Sequence, residues 1–288
     1  MPAVIYTNQA SLMAQKGLLG AQNSLALSVE RLSSGLRINR AKDDAAGLGV
    51  GENLQKQLNG VKQGINNLND AISMAQTAEG ALQSVSAMAQ RIIMLATQGA
   101  NETMSSDQRG SVTKELNALR TAINSIATRT KYTDTLIFGQ NSSTNIQVSN
   151  ESTDKIVITT ASFGPMGVDT LAAGGSSAGV SLNTAISNAN TTANTTNFIS
   201  VQTAAATYLN AITTQRGELG AIQNQLEYTV SNLTEYANNL AASRSRVMDT
   251  DYAAETANLT KGQILQQAAT AMLAQANQMP NVILTLLK

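Results

Sequence analysis

The chain contains no cysteine, no histidine and no tryptophan in 288 residues, and only 3 prolines, 3 phenylalanines and 6 tyrosines. Those absences remove most catalytic chemistry. There is no thiol nucleophile, no Ser-His-Asp triad, no haem histidine and none of the usual Cys/His zinc sites. Any acid-base work would fall to Asp, Glu, Lys or Tyr, and the expectation is a protein that is not an enzyme and holds no cofactor or metal. Without cysteine there is no disulfide framework, so the composition fits either side of a membrane. Charge of one sign is also lacking: Lys plus Arg and Asp plus Glu both count 19. Nothing therefore draws the whole chain to nucleic acid or to anionic lipid, and a near-neutral chain resists self-association only weakly. The start, MPAVIYTNQASLMAQKGLLG, has no basic region followed by an apolar run, so it does not read as a cleavable secretory signal. No stretch approaches the ~18 consecutive apolar residues of a membrane span, and no membrane insertion is expected.

Heptad spacing is what the chain has in quantity. Leu18, Gln22, Leu25, Val29, Leu32 and Leu36 follow alternating steps of four and three, which makes one stripe on a helix. Leu54, Leu58, Val61, Ile65, Leu68, Ile72 and Ala75 repeat the pattern, which resumes after a phase slip at Ala78, Leu82, Val85, Ala89 and Ile92. A slip of this kind changes the supercoil locally without ending the helix. A shorter helix carries Val112, Leu116, Leu119, Ile123 and Ile126. The longest run is Val201, Ala205, Tyr208, Ile212, Gln215, Leu219, Ile222, Leu226, Thr229, Leu233, Tyr236 and Leu240, in which only Gln215 and Thr229 are clearly polar. A last stripe comprises Leu265, Ala269, Met272, Ala276, Met279, Ile283 and Leu286. Pro280 interrupts it and is expected to bend or end the helix near Met279.

Composition changes at about residue 139, where turn formers and β-branched residues replace the helical period. Ile146 to Val148 and Lys155 to Thr160 read as the two strands of a hairpin turning at SNESTD. Residues 172 to 197, rich in Ala, Gly, Ser, Thr and Asn, read as a linker, a short loop or a surface patch, with VSLNTAI as their only apolar cluster. The terminal stripes are too short and too rich in alanine to make independent cores. They must pair with each other, pair with other subunits, or stay disordered, and discontinuous domains follow.

Two local motifs have plain readings. GLGVG, Gly47 to Gly51, superficially looks like a phosphate loop but follows no strand and lacks the G-x-G-x-x-G spacing, so flexibility and close packing at a domain boundary are the expected role. Asp43 with Asp44, and Asp249 with Asp251, are read as helix-start charges bridging to Arg37, Arg40, Arg244 or Arg246 in preference to a metal or acid-base site, because no third ligand accompanies them. Ser and Thr from Ser142 to Thr203 could accept O-glycans, and Asn194-Thr195-Thr196 fits the N-glycosylation triplet.

Three blocks resemble bacterial flagellin: VERLSSGLRINRAKDDAAGLGV from Val29 to Val50, ISMAQTAEGAL with QRIIMLATQGAN between Ile72 and Asn101, and LGAIQNQLEYTV onward from Leu219 to the end. The resemblance implies a mainly α fold, a long antiparallel helical coiled-coil bundle formed by the two ends of the chain, with a small β-hairpin region in the middle. It implies an inner core of residues 1–44 and 245–288, an outer core of 45–170 and 198–244, and a reduced variable segment at 171–197. The implied function is a structural subunit that polymerises into the flagellar filament for swimming, exported unfolded and assembled at the tip. Partners would be further copies of itself, the flagellar export apparatus and an export chaperone, the cap and the hook-junction proteins, in a secreted, extracellular location. Leu25, Val29, Leu32, Leu36, Leu265, Met272, Leu273, Met279, Ile283 and Leu286 are the expected polymerisation residues.

Gln90, Arg91, Leu95 and Glu115 match the positions at which recognised flagellins engage the host Toll-like receptor for flagellin, although spacing alone gives them an ordinary solvated helix face. Ile93 and Met94 depart from the charged residues common in that stretch. Two other functions stand beside the filament subunit. A hook-filament junction protein would diverge from the LSSG and SRSRV blocks present here, and a flagellin-like surface adhesin or polysaccharide-binding protein would bind glycan without polymerising.

Overall fold

The computed structural model describes residues 8–138, 142–151, 153–160 and 177–286, with 142–143, 159–160, 177–180 and 279–286 given by their backbone alone. Six helices and two small hairpins occur among them: α1 (Gln9–Ser34), α2 (Ala45–Gly99), α3 (Ser106–Arg129), β1 (Lys131–Tyr132), β2 (Thr135–Leu136), β3 (Ser142–Gln147), β4 (Lys155–Thr160), α4 (Ser177–Thr191), α5 (Thr195–Met248) and α6 (Tyr252–Leu286). The fold is mainly α, as the heptads predict. The chain divides into two compact units, Met1–Leu58 with Asn238–Lys288, and Asn59–Ala237.

The first unit is built on α1 and α6, which pack against each other. They run antiparallel, since Asn8 at the start of α1 bonds to Ala276 near the end of α6, while Arg31 near the end of α1 faces Glu255 at the start of α6. Gly35 ends α1 in the left-handed region at φ 72°, where a glycine carries no Cβ penalty, and its N–H donates to the Arg31 carbonyl at 2.9 Å. Leu36 therefore lies beyond the helix that the first stripe predicted for it, and pairs with Asp249 in an isolated antiparallel bridge. The Arg37 N–H donates to the Met248 carbonyl at 2.7 Å and the Thr250 N–H to the Gly35 carbonyl at 2.9 Å, fastening this corner. Gly51 has no room for a side chain, because a Cβ there would meet the Met248 thioether.

The aspartates of this corner serve as caps. Asp44 accepts from the Gly47 N–H at 2.8 Å at the start of α2, and Asp251 accepts from the Ala253 N–H at 2.9 Å at the start of α6. The ion pairing differs from expectation: Arg40 binds Glu30 at 2.8 Å, and the Arg37 guanidinium donates to the Val247 carbonyl at 2.6 Å. Asp44 and Asp251 cap helices and the Asp43 carboxylate accepts from the Asn39 and Arg40 N–H groups, so these three carboxylates bind backbone.

The second unit has its own core. Leu68, Leu82, Ile92, Leu116, Ile123, Val201, Ile212, Leu219 and Leu226 are buried, most of them on the stripes read from the sequence. Burial pushes the Tyr208 phenol well above its ordinary pKa. A Ser105/Gln108 capping box starts α3. β3 and β4 pair antiparallel from Ser142↔Thr160 to Gln147↔Lys155, so the first strand begins before Ile146 and stops before Val148. The Asn67 amide donates to the Gln147 carbonyl at 3.0 Å, and a side chain at Gly64 would collide with the Val148 carbonyl, so glycine lets the hairpin lie close on α2.

Two expectations are overturned by the backbone. Residues 177–191, read as part of a linker, form α4 and pack on α3 through the cluster that includes Leu182, Ala185, Ile186 and Ala189, all buried. Small residues disguised the helix, because alanine and serine satisfy a helical face without producing an apolar stripe. Pro280 does not end α6, which continues to Leu286. The carbonyl it leaves without an intrahelical donor is that of Ala276, and the Asn8 Nδ2 donates to it at 2.8 Å.

Candidate functional site

The terminal helix pair is where the sequence places assembly residues, and its two sides differ in kind. Facing α6, α1 presents Ser11, Ala14, Leu18, Ala21, Leu25, Ser28 and Leu32, each partly or fully buried. α6 answers with Glu255, Leu259, Gly262, Gln266, Ala269, Leu273 and Ala276. Both sets step by three and four, so the seam has coiled-coil spacing, but small and polar residues fill most of it. Gly262 lets the backbones close up, with the Leu25 side chain 3.5 Å from where a Cβ would stand.

The observed seam shares Leu18, Leu25, Leu32, Ala269 and Ala276 with the expected stripes and departs from them at the alternate positions. Leu25, Leu32 and Leu273 face the partner helix, whereas Val29, Leu265 and Met272 are exposed, at 51%, 48% and 64%. Leu36 is partly buried in the bridge after α1. The side chains of Met279, Ile283 and Leu286 lie outside the described residues. At the alternate positions Ala21, Ser28 and Gly262 are buried, where the expected stripes have Gln22, Val29 and Leu265 as neighbouring members.

Large apolar side chains are left on the outside of the pair. Leu12, Met13, Leu19, Leu27 and Ile264 join Val29, Leu265 and Met272 there. Between the helices lies a trough of about 720 Å³ with a floor that includes Gly17, Gly20 and Ala21 and a rim that includes Met13, Leu265 and Met272. An apolar channel walled by small residues admits another helix at close range. No described helix is long and apolar enough to cross a membrane.

Polar contacts hold the pair at both ends. Arg31 and Glu255 stand 3.6 Å apart, with the Glu255 carboxylate almost wholly buried, and the Tyr252 hydroxyl donates to the Leu32 carbonyl at 3.4 Å. At the other end Asn8 caps α1 through its Oδ1, which accepts from the Ser11 N–H at 3.1 Å, and the Ser11 hydroxyl donates to Asn277 at 3.1 Å. These residues were missed in the sequence. The signal for Asn8 was available: an N-cap residue type directly before a helical run.

In the second unit, Gln90 and Arg91 are exposed. The Arg91 guanidinium binds Glu115 twice, Nη2 at 2.6 Å and Nε at 2.8 Å from one carboxylate oxygen. Leu95 is 2% exposed and belongs to the core, so the structure brings three of the four patch residues to the surface and not the fourth. Arg91 and Leu95 are one helical turn apart, but that spacing does not fix which of them reaches solvent. Met94 is exposed beside the pair, and Ile93 is partly buried.

Residues 5–143 match the model for the bacterial flagellin N-terminal helical region, and residues 203–287 match that for the bacterial flagellin C-terminal helical region. A flagellin of Halalkalibacterium halodurans is 37% identical, covering 99% of this chain and 100% of its own. A flagellin of Bacillus subtilis is 36% identical over 98% of each chain. Flagellin B of Vibrio cholerae is 32% identical, covering 98% of this chain and 99% of its own. Among solved structures, Bacillus cereus flagellin is 26% identical with a TM-score of 0.46, covering 62% of this chain and 94% of that one.

Proposed function

This chain belongs to the bacterial flagellin family and is a structural subunit of the extracellular flagellar filament, and we propose that its two ends order as it polymerises. The observation that carries this reading is the terminal pair: small and polar residues fill most of its inner seam around Leu18, Leu25, Leu32, Leu259 and Leu273, and its other large apolar residues face outward. Such a pair gains little by closing on itself, while neighbouring copies would bury Met13, Leu19, Val29, Leu265 and Met272. Residues 1–44 with 245–288 form the inner core of the filament in this proposal, 45–170 with 198–244 the outer core, and 171–197 the reduced variable segment. The chain travels unfolded through the flagellar export apparatus with a chaperone, and adds at the tip between cap and hook-junction proteins. Absence of cysteine removes disulfide trapping on that route.

Deletion tests the reading. Chains lacking residues 1–36 or 265–288 are expected to remain soluble, with the helical content of the Asn59–Ala237 unit intact, and to add to no filament seed in sedimentation and negative-stain microscopy. Long filaments from either truncation would contradict it.

A further inference from the structure

We infer that Asn8 is a positioning residue for assembly, matched to Pro280, and that its carboxamide locks the far end of the terminal helix pair with two atoms doing separate jobs. Its Oδ1 accepts from the Ser11 N–H at 3.1 Å and caps α1. Its Nδ2 donates to the Ala276 carbonyl at 2.8 Å. That carbonyl is unusual among those of α6. An α-helix closes each carbonyl with the N–H four residues on, and for Ala276 that residue is Pro280, which has no N–H. The other prolines of the chain, Pro2 and Pro165, lie outside α6, so within this helix the proline opens one interior acceptor and no other. Ala276 is buried, so the opened acceptor sits where an unmade hydrogen bond is costly.

The geometry gives the lock its purpose. At the other end, the pair is fastened by the bridge between Leu36 and Asp249, the Arg37 and Thr250 backbone bonds and the Arg31–Glu255 pair. Between the two ends small and polar residues fill most of the seam, and they specify alignment weakly. At the Asn8 end a part-buried polar contact with one acceptor, beside the Ser11–Asn277 bond, then specifies alignment, as a buried asparagine does in a coiled coil. Proline in α6 and asparagine before α1 are two halves of one device: the proline creates the vacancy, and the asparagine fills it across the seam.

The inference rests on the filament reading, and a double-mutant cycle on the full chain separates the two. Asn8→Ser keeps a good cap but is too short to reach Ala276, while Asn8→Ala loses both jobs. Pro280→Ala restores the N–H and closes the carbonyl within α6. The readout is the critical concentration for growth from wild-type seeds, measured by sedimentation. In the natural Pro280 background Asn8→Ser is expected to raise it about fivefold, and Asn8→Ala about thirtyfold. With Pro280→Ala present, the Asn8→Ser effect is expected to shrink below about twofold and that of Asn8→Ala to about fivefold, the cap alone. Equal effects of Asn8→Ser in both backgrounds, or none in the first, would overturn the lock while leaving the filament reading intact. Failure of the wild-type chain to grow on its own seeds would overturn the filament reading and the lock with it.

Discussion

The two units use apolar residues in opposite ways. Among the described residues, the twelve largest fully buried side chains include eleven in the Asn59–Ala237 unit, from Leu68 and Phe198 to Ile212, and only Ile38 in the terminal unit. The terminal unit shows Leu12, Met13, Leu19, Val29, Ile264 and Met272 to solvent. A middle that buries its large residues has paid for its own folding. An end that exposes them is, in the proposed reading, one that neighbouring copies cover.

The sharpest break in that comparison is a pair of matched substitutions. Ile212→Ala, in the core of the middle unit, is expected to cost about 3 kcal/mol in the monomer and lower its melting temperature by about 10 °C. Leu273→Asp, on the seam, is expected to leave the monomer's melting temperature within about 2 °C yet cost about 3 kcal/mol in the filament, where the charge is buried without a partner. Calorimetry of both monomers beside seeded growth checks the contrast. A Leu273→Asp monomer destabilised as much as the Ile212→Ala monomer would mean that the ends fold before assembly.

The same division governs what could be read from the sequence. Along α5 most of the predicted stripe is buried, from Val201 through Ile212 and Leu219 to Leu226 and Leu240, with Tyr236 exposed, because large residues there have a partner within the chain. In α1 and α6 the expected polymerisation residues divide: Leu25, Leu32 and Leu273 lie in the seam of the pair, while Val29, Leu265 and Met272 are exposed. Periodicity locates a helix from one chain, whereas the direction of its face depends on neighbours that one chain does not contain. Pro280 misled for a related reason: local sequence predicts the lost bond but not Asn8, 268 residues away, which replaces it. Of the residues expected in a receptor patch, Leu95 lies in the core, because spacing does not distinguish a core position from a surface one.

A smaller effect belongs to Arg91. Its pair with Glu115 is exposed, and Arg91→Ala is expected to change monomer stability by less than about 1 kcal/mol. If the host receptor engages this surface, Arg91→Ala would weaken binding of the dissociated monomer about thirtyfold, with intact filament not binding at all. Titration of the receptor ectodomain against the three samples checks it, and equal binding by filament and monomer would remove the patch from consideration.

The smallest expected effect is a pH slope confined to the middle unit. Burial raises the Tyr208 phenol above its ordinary 10.0, so the folded state holds the proton more tightly than the unfolded chain. That contribution is fully present below pH 10 and is lost progressively above it, as the unfolded chain ionises first. Denaturant titrations across this range should show stability falling more steeply for wild type than for Tyr208→Phe. Parallel slopes would show that the tyrosine does not carry the loss.

Hydrogen exchange of the full chain, resolved along the sequence in dissociated monomer and in assembled filament, tests the central claim most directly. Amides of Gln9–Ser34 and Tyr252–Leu286 are expected to exchange rapidly in the monomer and to become protected in the filament, while the core helices of the Asn59–Ala237 unit stay protected in both. Equal protection of the terminal helices in monomer and filament would contradict the account.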